Sequence, residues 1–211
     1  MRRSFISGIL GLLGLSKAAA GQSPASGPSS AIMSLAPVRR LADAEARDWF
    51  WQIVDASSDK DEEAQIARFR GTLDKLSDQD LVDFISLYWA VDRELYTMRL
   101  WAAAYLINGG ASDDGFTDFR AWLIARGRLI TERALADPDS LAELGVESDS
   151  ATFELFGYVM YGAFKARSGD ANPAFRNDAV AREAEAPDWK FDFDDEAQMR
   201  RRLPKLSALY L

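Results

Sequence analysis

A polar loop carries the residues whose types are best suited to chemistry. The stretch INGGASDDGF, residues 107–116, places two glycines, a serine and the adjacent carboxylates Asp113 and Asp114 between two apolar segments. Carboxylates can act as general acids or bases, and they bind hard metal ions through oxygen. Arg120 follows closely, and its guanidinium fork suits an anionic group. The loop is therefore one candidate for a ligand site.

The candidate binding set around this loop combines one amide, two carboxylates, two guanidinium groups and one aromatic ring. Its members are Asn108, Asp113, Asp114, Arg120, Trp122 and Arg126. Mg²⁺ or Ca²⁺ would suit the carboxylates, although the pattern identifies no metal. No catalytic residue is predicted.

A structural interpretation of the same loop is favoured over a ligand site. Asp113 and Asp114 are neighbours in sequence, so on a helix their side chains diverge by about 100° and do not form the convergent acid pair of a hydrolase. The loop also lacks the alternating acids and closing glutamate of an EF-hand. Glycines suit the end of one helix, and Ser112 or an aspartate suits the cap of the next. The loop is therefore expected to be a hinge between two helices.

The composition excludes several classes of function. The 211 residues contain no histidine and no cysteine, which argues against zinc, haem and iron–sulfur sites and against histidine- or thiol-based catalysis. No cofactor is predicted. The formal net charge of -8 at pH 7 repels phosphate backbones, so nucleic acid is not an expected partner. A basic protein partner fits this charge better.

The first forty residues predict a leader followed by a linker. Residues 1–20 begin with Arg2 and Arg3, continue with a short apolar run and end in small alanines, as exported proteins do. Their start resembles a twin-arginine export signal, so the periplasm is the expected location and the cytoplasm is the alternative. Residues 21–40 begin with Gly, Ser and Pro, which predict a flexible linker. No later segment offers the roughly 18 uninterrupted apolar residues of a membrane span.

Residues 41–211 are expected to form a single compact multi-helix domain of the all-α class. From Asp43 onward the apolar residues recur at spacings of three and four, which is the period of a helix. Ser77 and Asp80 predict a cap, a bend is expected near Asp92, and Gly127 predicts a break. The predicted helical segments are 42–57, 61–76, 77–108, 116–135, a short segment after Pro138, 151–169 and 194–203.

Four blocks of the sequence, in this order, resemble a bacterial family catalogued as domain of unknown function 4240. They are DWFWQIVDAS, AAAYLINGGASDDGFTDFRAWLIARGR, ALADPDSLAEL and DWKFDFDDEAQMRRRLPKLSALYL. Together they span most of residues 43–211. The resemblance implies a helical fold, and it brings no assigned functional residues.

Two functions stay open at this point. The first is a non-enzymatic protein-interaction module that binds a basic partner through its acidic surface, of which an immunity protein that neutralises a toxin is one version. The alternative is an enzyme or small-molecule binder that uses a carboxylate and arginine pocket beside residues 107–116, with or without a metal ion. The sequence does not indicate an oligomeric state.

Overall fold

A computed structural model describes residues 31–170, 173 and 192–211, and within these residues it contains helices and no strand. The expected all-α class is confirmed. The α-helices are α1 (Ala44–Ser57), α2 (Glu62–Leu73), α3 (Asp78–Leu95), α4 (Met98–Ile107), α5 (Asp113–Ala125), α6 (Arg128–Ala136), α7 (Glu154–Ser168), α8 (Glu196–Arg202) and α9 (Pro204–Tyr210). Short 3-10 helices cover Ile32–Ser34 and Pro138–Leu144.

Stacked aromatic rings from α1, α2, α3 and α7 form the centre of the core. Phe50, Phe69, Phe84 and Phe156 are fully buried. The ring centroids of Phe50 and Phe84 lie 5.1 Å apart, and those of Phe69 and Phe156 lie 4.4 Å apart. Burial of such rings away from water is a main source of stability. Each ring lies on the inward face that the apolar period predicts, so this part of the prediction is confirmed.

The long segment between Ser77 and Gly109 is divided into two helices. Ser77 caps α3 as expected, accepting a hydrogen bond from the backbone N–H of Asp80. The break falls between Leu95 and Met98, a little beyond the position where a bend was expected. Thr97 begins α4, since its hydroxyl accepts a hydrogen bond from the backbone N–H of Leu100 at 3.2 Å. Threonine also occurs inside helices, so its capping role was not distinctive in the sequence.

Gly127 separates α5 from α6, as predicted. Its φ of +87° lies in a region that side chains disfavour, and an added Cβ would lie 2.5 Å from Oδ1 of Asp55. That same oxygen accepts a hydrogen bond from the backbone N–H of Arg128 at 2.9 Å. The glycine therefore permits both the turn and the close approach of α1.

Residues 31–41 pack against the helices, although the sequence prediction placed most of them in the linker. Ile32 is buried in the core. The buried carboxylate of Asp83 accepts hydrogen bonds from the backbone N–H groups of Val38 at 2.6 Å and Arg39 at 3.3 Å. Its second oxygen lies 3.0 Å from the Arg39 guanidinium. The predicted leader and the first part of the predicted linker lie outside the described residues.

The end of the chain contains one helix more than the sequence predicted. α8 ends before Pro204, as expected, and Pro204 then occupies the first turn of α9, where its missing N–H costs nothing. The carboxylate of Asp139 accepts hydrogen bonds from the backbone N–H groups of Lys205 at 3.0 Å and of Leu206 at 2.9 Å. The irregular segment expected between Gly169 and Pro187 lies almost wholly outside the described residues.

Candidate ligand-binding site

A cavity of about 120 Å³ lies between α3, α5 and α7. It is close to the size of a cavity that holds one benzene molecule, about 150 Å³. α3 contributes Tyr88, Trp89 and Asp92 to its wall. The cavity is therefore large enough for one small planar group and lies against a buried carboxylate.

Small side chains bring these three helices close together. Gly157 on α7 faces both other helices: an added Cβ would lie 3.2 Å from the hydroxyl oxygen of Tyr88 and 3.6 Å from Cβ of Ala121. A larger side chain at position 157 would push α7 away or enter the cavity. Gly157 thus sets the distance between the walls.

Asp92, one acid of the wall, is already neutralised inside the protein. Its two carboxylate oxygens lie 2.8 Å from Nε and 3.2 Å from Nη2 of Arg120. The Arg120 guanidinium is buried and lies over the rings of Phe116 at 4.6 Å and Tyr96 at 4.9 Å. Burial raises the pKa of the Asp92 carboxyl, and the Arg120 charge opposes this rise. The two side chains thus form a fork-shaped ion pair with two hydrogen bonds.

Two other acids of the wall have no such partner in the part of the chain that the structure describes. Asp118 of α5 is half-buried, and Glu154 of α7 is exposed at the mouth. Burial raises the pKa of Asp118, and the carboxylates of Glu154 and Asp114 raise it further. Within the described residues, neither Asp118 nor Glu154 nor Asp114 forms an ion pair. These carboxylates repel one another, and a bound cation would relieve that repulsion.

Tyr88 places a polar atom in this mainly apolar part of the wall. Its side chain is only 3% exposed, and its hydroxyl has no hydrogen-bond partner in the described part of the chain. Burial, reinforced by the Asp92 carboxylate, holds the pKa of Tyr88 well above its usual value of 10.0. The hydroxyl therefore stays protonated and can both donate and accept a hydrogen bond.

The predicted loop forms the hinge that was the favoured interpretation. Ser112 caps α5, because its hydroxyl accepts a hydrogen bond from the backbone N–H of Gly115 at 3.1 Å. Asp113 and Asp114 occupy the first turn and are exposed. One oxygen of Asp113 accepts a hydrogen bond from the Tyr96 hydroxyl at 3.2 Å. Acids in the first turn complement the helix dipole.

The structure distributes the six predicted binding residues over different places. The side-chain amide of Asn108 donates a hydrogen bond to the backbone carbonyl of Ala151 at 3.2 Å and accepts one from the backbone N–H of Ala151 at 3.1 Å. Arg120 lies behind the cavity wall, paired with Asp92. Trp122 and Arg126 line a separate cleft, in which the Arg126 guanidinium lies 5.2 Å from the Trp122 ring centroid. The Nη2 atom of Arg126 is 3.6 Å from a carboxylate oxygen of Glu62, which lines the same cleft.

Asp92, Asp118 and Glu154 were missing from the predicted set. Asp92 follows Tyr88 by one helical turn and therefore continues the inward-facing stripe of α3, which is a signal that the sequence did contain. Asp118 and Glu154 carry no comparable signal, because their proximity depends on how α5 and α7 pack. Across the described ranges, no group of three or more acidic side chains is arranged to hold a metal ion.

A comparison with known protein families supports the resemblance seen in the sequence. Residues 46–166 match the sequence model of the family described as "Protein of unknown function (DUF4240)". The chain belongs to this family. All the residues named above as lining the α3–α5–α7 cavity of this DUF4240 protein fall inside the matched segment. Neither the curated proteins nor the solved structures contain a match to the chain.

The described part of this DUF4240 chain holds no candidate membrane span. None of the helices in the described residues combines the length and the apolar character needed to cross a bilayer.

Proposed function

We propose that this DUF4240 protein is a non-enzymatic binding module for a basic protein partner. The observation that carries the proposal is the acidic rim, three carboxylates that form no ion pair among the described residues. Asp118 and Glu154 of the rim line the cavity, and Asp114 lies one helical turn before Asp118 on α5. Carboxylates that repel one another without a cationic partner cost free energy, and a positively charged partner would recover it.

The surface beside the acidic rim has the mixed character of a protein interface. Leu155 and Tyr158 of α7 are 60% and 59% exposed and lie close to Glu154 on the same helix. Exposed aromatic side chains are enriched where proteins bind one another. A shallow groove on the other side of Glu154 adds the carboxylates of Glu62 and Glu63. Exposed apolar area therefore lies next to several carboxylates.

The overall charge supports the same partner chemistry. A formal net charge of -8 steers cationic molecules toward the surface and speeds their encounter. An anionic ligand is less favoured, because Asp92 already neutralises the Arg120 guanidinium. If the predicted leader directs export, the encounter would take place in the periplasm. An immunity protein that neutralises a basic toxin would be one biological form of this module.

Site-specific photo-cross-linking in the host cell tests the proposal. A photoreactive phenylalanine analogue replaces Tyr158, and the same analogue replaces Leu129 of α6 in a control, because Leu129 is also strongly exposed, at 80%. We expect a discrete cross-linked product only from position 158. Mass spectrometry should identify the attached protein as basic.

Charge reversal then shows whether the acidic rim recognises that protein. Glu154→Lys with Asp118→Lys should abolish the cross-link at position 158. Glu45→Lys, which reverses an exposed acid on α1, should leave it unchanged. The proposal is overturned if no product forms at position 158, or if the product survives reversal of the acidic rim.

A further inference from the structure

We infer that the α3–α5–α7 cavity receives the guanidinium group of one arginine side chain of the partner. The inference rests on the proposed function and names the chemical group that the site recognises. Asp118 and Glu154 would bind the charge, and the aromatic wall would cover the flat faces of the group.

The size of the cavity limits the ligand to a small group. A volume of about 120 Å³ is slightly below that of a cavity filled by one benzene ring. A planar guanidinium fits this space, whereas a nucleotide or a sugar chain does not. The ligand must therefore be the end of a side chain or a molecule of similar size.

The placement of the two acids favours a guanidinium over an ammonium group. Asp118 projects from α5 and Glu154 from α7, so they approach the cavity from different walls. A guanidinium carries five N–H donors in a fixed plane and can serve two carboxylates at once. An ammonium is a compact, strongly hydrated charge, and its transfer from water costs more.

The aromatic wall suits a flat cation. The ring centroids of Trp89 and Tyr161 are 6.2 Å apart, and those of Tyr158 and Tyr161 are 6.4 Å apart. All three rings line the cavity. Arginine binds aromatic faces by cation–π attraction and stacking. The same fold already packs Arg120 over Phe116 at 4.6 Å.

The hydroxyl of Tyr88, a residue of the cavity wall, gives independent support for a polar ligand. Tyr88 is 3% exposed and lines the cavity, yet its hydroxyl has no hydrogen-bond partner among the residues that the structure describes. Polar groups of largely buried side chains normally have a hydrogen-bond partner. A guanidinium N–H in the cavity would satisfy its oxygen. An apolar ligand would offer this oxygen no hydrogen bond.

Nuclear magnetic resonance titration of the wild-type protein tests the inference with three matched probes. They are the N-acetyl methylamides of arginine, of lysine and of citrulline, the last being a neutral isostere of arginine. The indole N–H signal of Trp89, assigned with a Trp89→Phe variant, reports on the cavity. We expect saturable shifts with the arginine probe, a dissociation constant about tenfold higher with the lysine probe, and no saturation with the citrulline probe.

Variants of the wall locate the binding. Asp118→Asn with Glu154→Gln should remove the response to the arginine probe, and Tyr88→Phe should weaken binding several-fold. Glu45→Gln is the matched control and should bind like the wild type. The inference is overturned if the citrulline probe binds as well as the arginine probe, if lysine equals arginine, or if the acid variants respond normally.

The two proposals fail in distinguishable ways. If the cross-link at position 158 forms and depends on charge while the arginine probe does not move the Trp89 signal, the cavity assignment alone is wrong. If the cross-link is absent and the arginine probe still binds the cavity, the protein binds a small cation and the protein-partner proposal is wrong. The titration does not depend on knowing the partner.

Discussion

The buried acids Asp83, Asp92 and Asp139 and the acids of the cavity mouth differ in what surrounds them. Asp83 and Asp139 each accept two backbone N–H groups, and Asp92 holds the guanidinium of Arg120. Asp118 and Glu154 contact neither a cation nor a backbone donor with their carboxylates, as far as the described chain shows. The buried acids have hydrogen-bond or ion-pair partners that stabilise the folded state. The acids of the cavity mouth instead repel each other, which does not help the protein to fold. Function is a reason to keep such acids.

The largest expected effect comes from removing the cation inside the fold. Arg120→Met should lower the free energy of unfolding by about 3–5 kcal/mol, because it leaves the buried Asp92 carboxylate without its partner. Chemical denaturation at neutral pH measures this loss. Adding Asp92→Asn should recover much of it. If the double variant is no more stable than the single one, the uncompensated acid is not the source of the loss.

The pH dependence of the Arg120→Met variant sharpens the same point. Burial raises the pKa of Asp92 even with Arg120 present, and loss of Arg120 should raise it further. Folded protein then binds a proton more readily than unfolded protein, so stability should rise as the pH falls through the raised pKa. Denaturation curves across the acidic range should show the variant approaching the wild type. A constant difference would contradict this account.

An intermediate effect is expected at the strap formed by residues 31–41. Asp83→Ala should cost about 1–3 kcal/mol, because it removes a fully buried carboxylate that accepts the part-buried N–H groups of Val38 and Arg39. Asp80→Ala is the control, since Asp80 pairs with the same arginine at 2.6 Å but is about one-third exposed. Its loss should cost about 1 kcal/mol or less. Equal losses in thermal unfolding would show that burial does not separate these acids.

A small effect of opposite sign is expected for Asp118→Asn at the acidic rim. At neutral pH the change removes a repelling charge, so it should raise stability, by about 0.5 kcal/mol or less because solvent screens a partly exposed group. The raised pKa of Asp118 means that the folded wild type gains stability as the pH falls through that pKa. The advantage of the variant should therefore vanish in acid. A lower melting temperature at neutral pH would count against an unpaired Asp118.

The smallest effect on stability is expected at Glu154. Glu154→Gln changes an exposed side chain that forms no ion pair with any described residue, so the free energy of unfolding should move by no more than about 0.5 kcal/mol. Binding of the arginine probe should nevertheless fall clearly. Calorimetric unfolding and the titration, run on one preparation, separate the two quantities. A large loss of stability would place Glu154 with the structural acids.

The sequence predicted the fold better than the site because the two depend on different contacts. Buried stripes such as Phe153, Phe156, Met160 and Phe164 repeat with the helical period, so local spacing was sufficient to locate α7. Glycine breaks were predicted for the same reason, since positive φ is a local requirement. The cap at Thr97 and the helix after Pro204 were missed, because threonine and proline each allow more than one backbone role.

The cavity could not be predicted from spacing. Asp118 and Glu154 come together through the packing of α5 against α7, where Gly157 lies close to Tyr88 and Ala121. Asp92 was detectable as an acid on an inward face. The pairing of Arg120 with that acid was not, and so the sequence assigned Arg120 to a ligand rather than to the core.

The helical walls of the cavity also bear on the speed of binding. Tyr88, Asp118 and Tyr158 all project from helices that the aromatic core holds in place, so the cavity exists before a ligand arrives. None of the described lining residues belongs to a loop that would have to close first, so the association rate should be limited by diffusion and by long-range attraction. That association rate should fall as added salt shortens the Debye screening length, which is about 10 Å at 0.1 M ionic strength. The dissociation rate, set by short-range contacts inside the cavity, should change much less with salt.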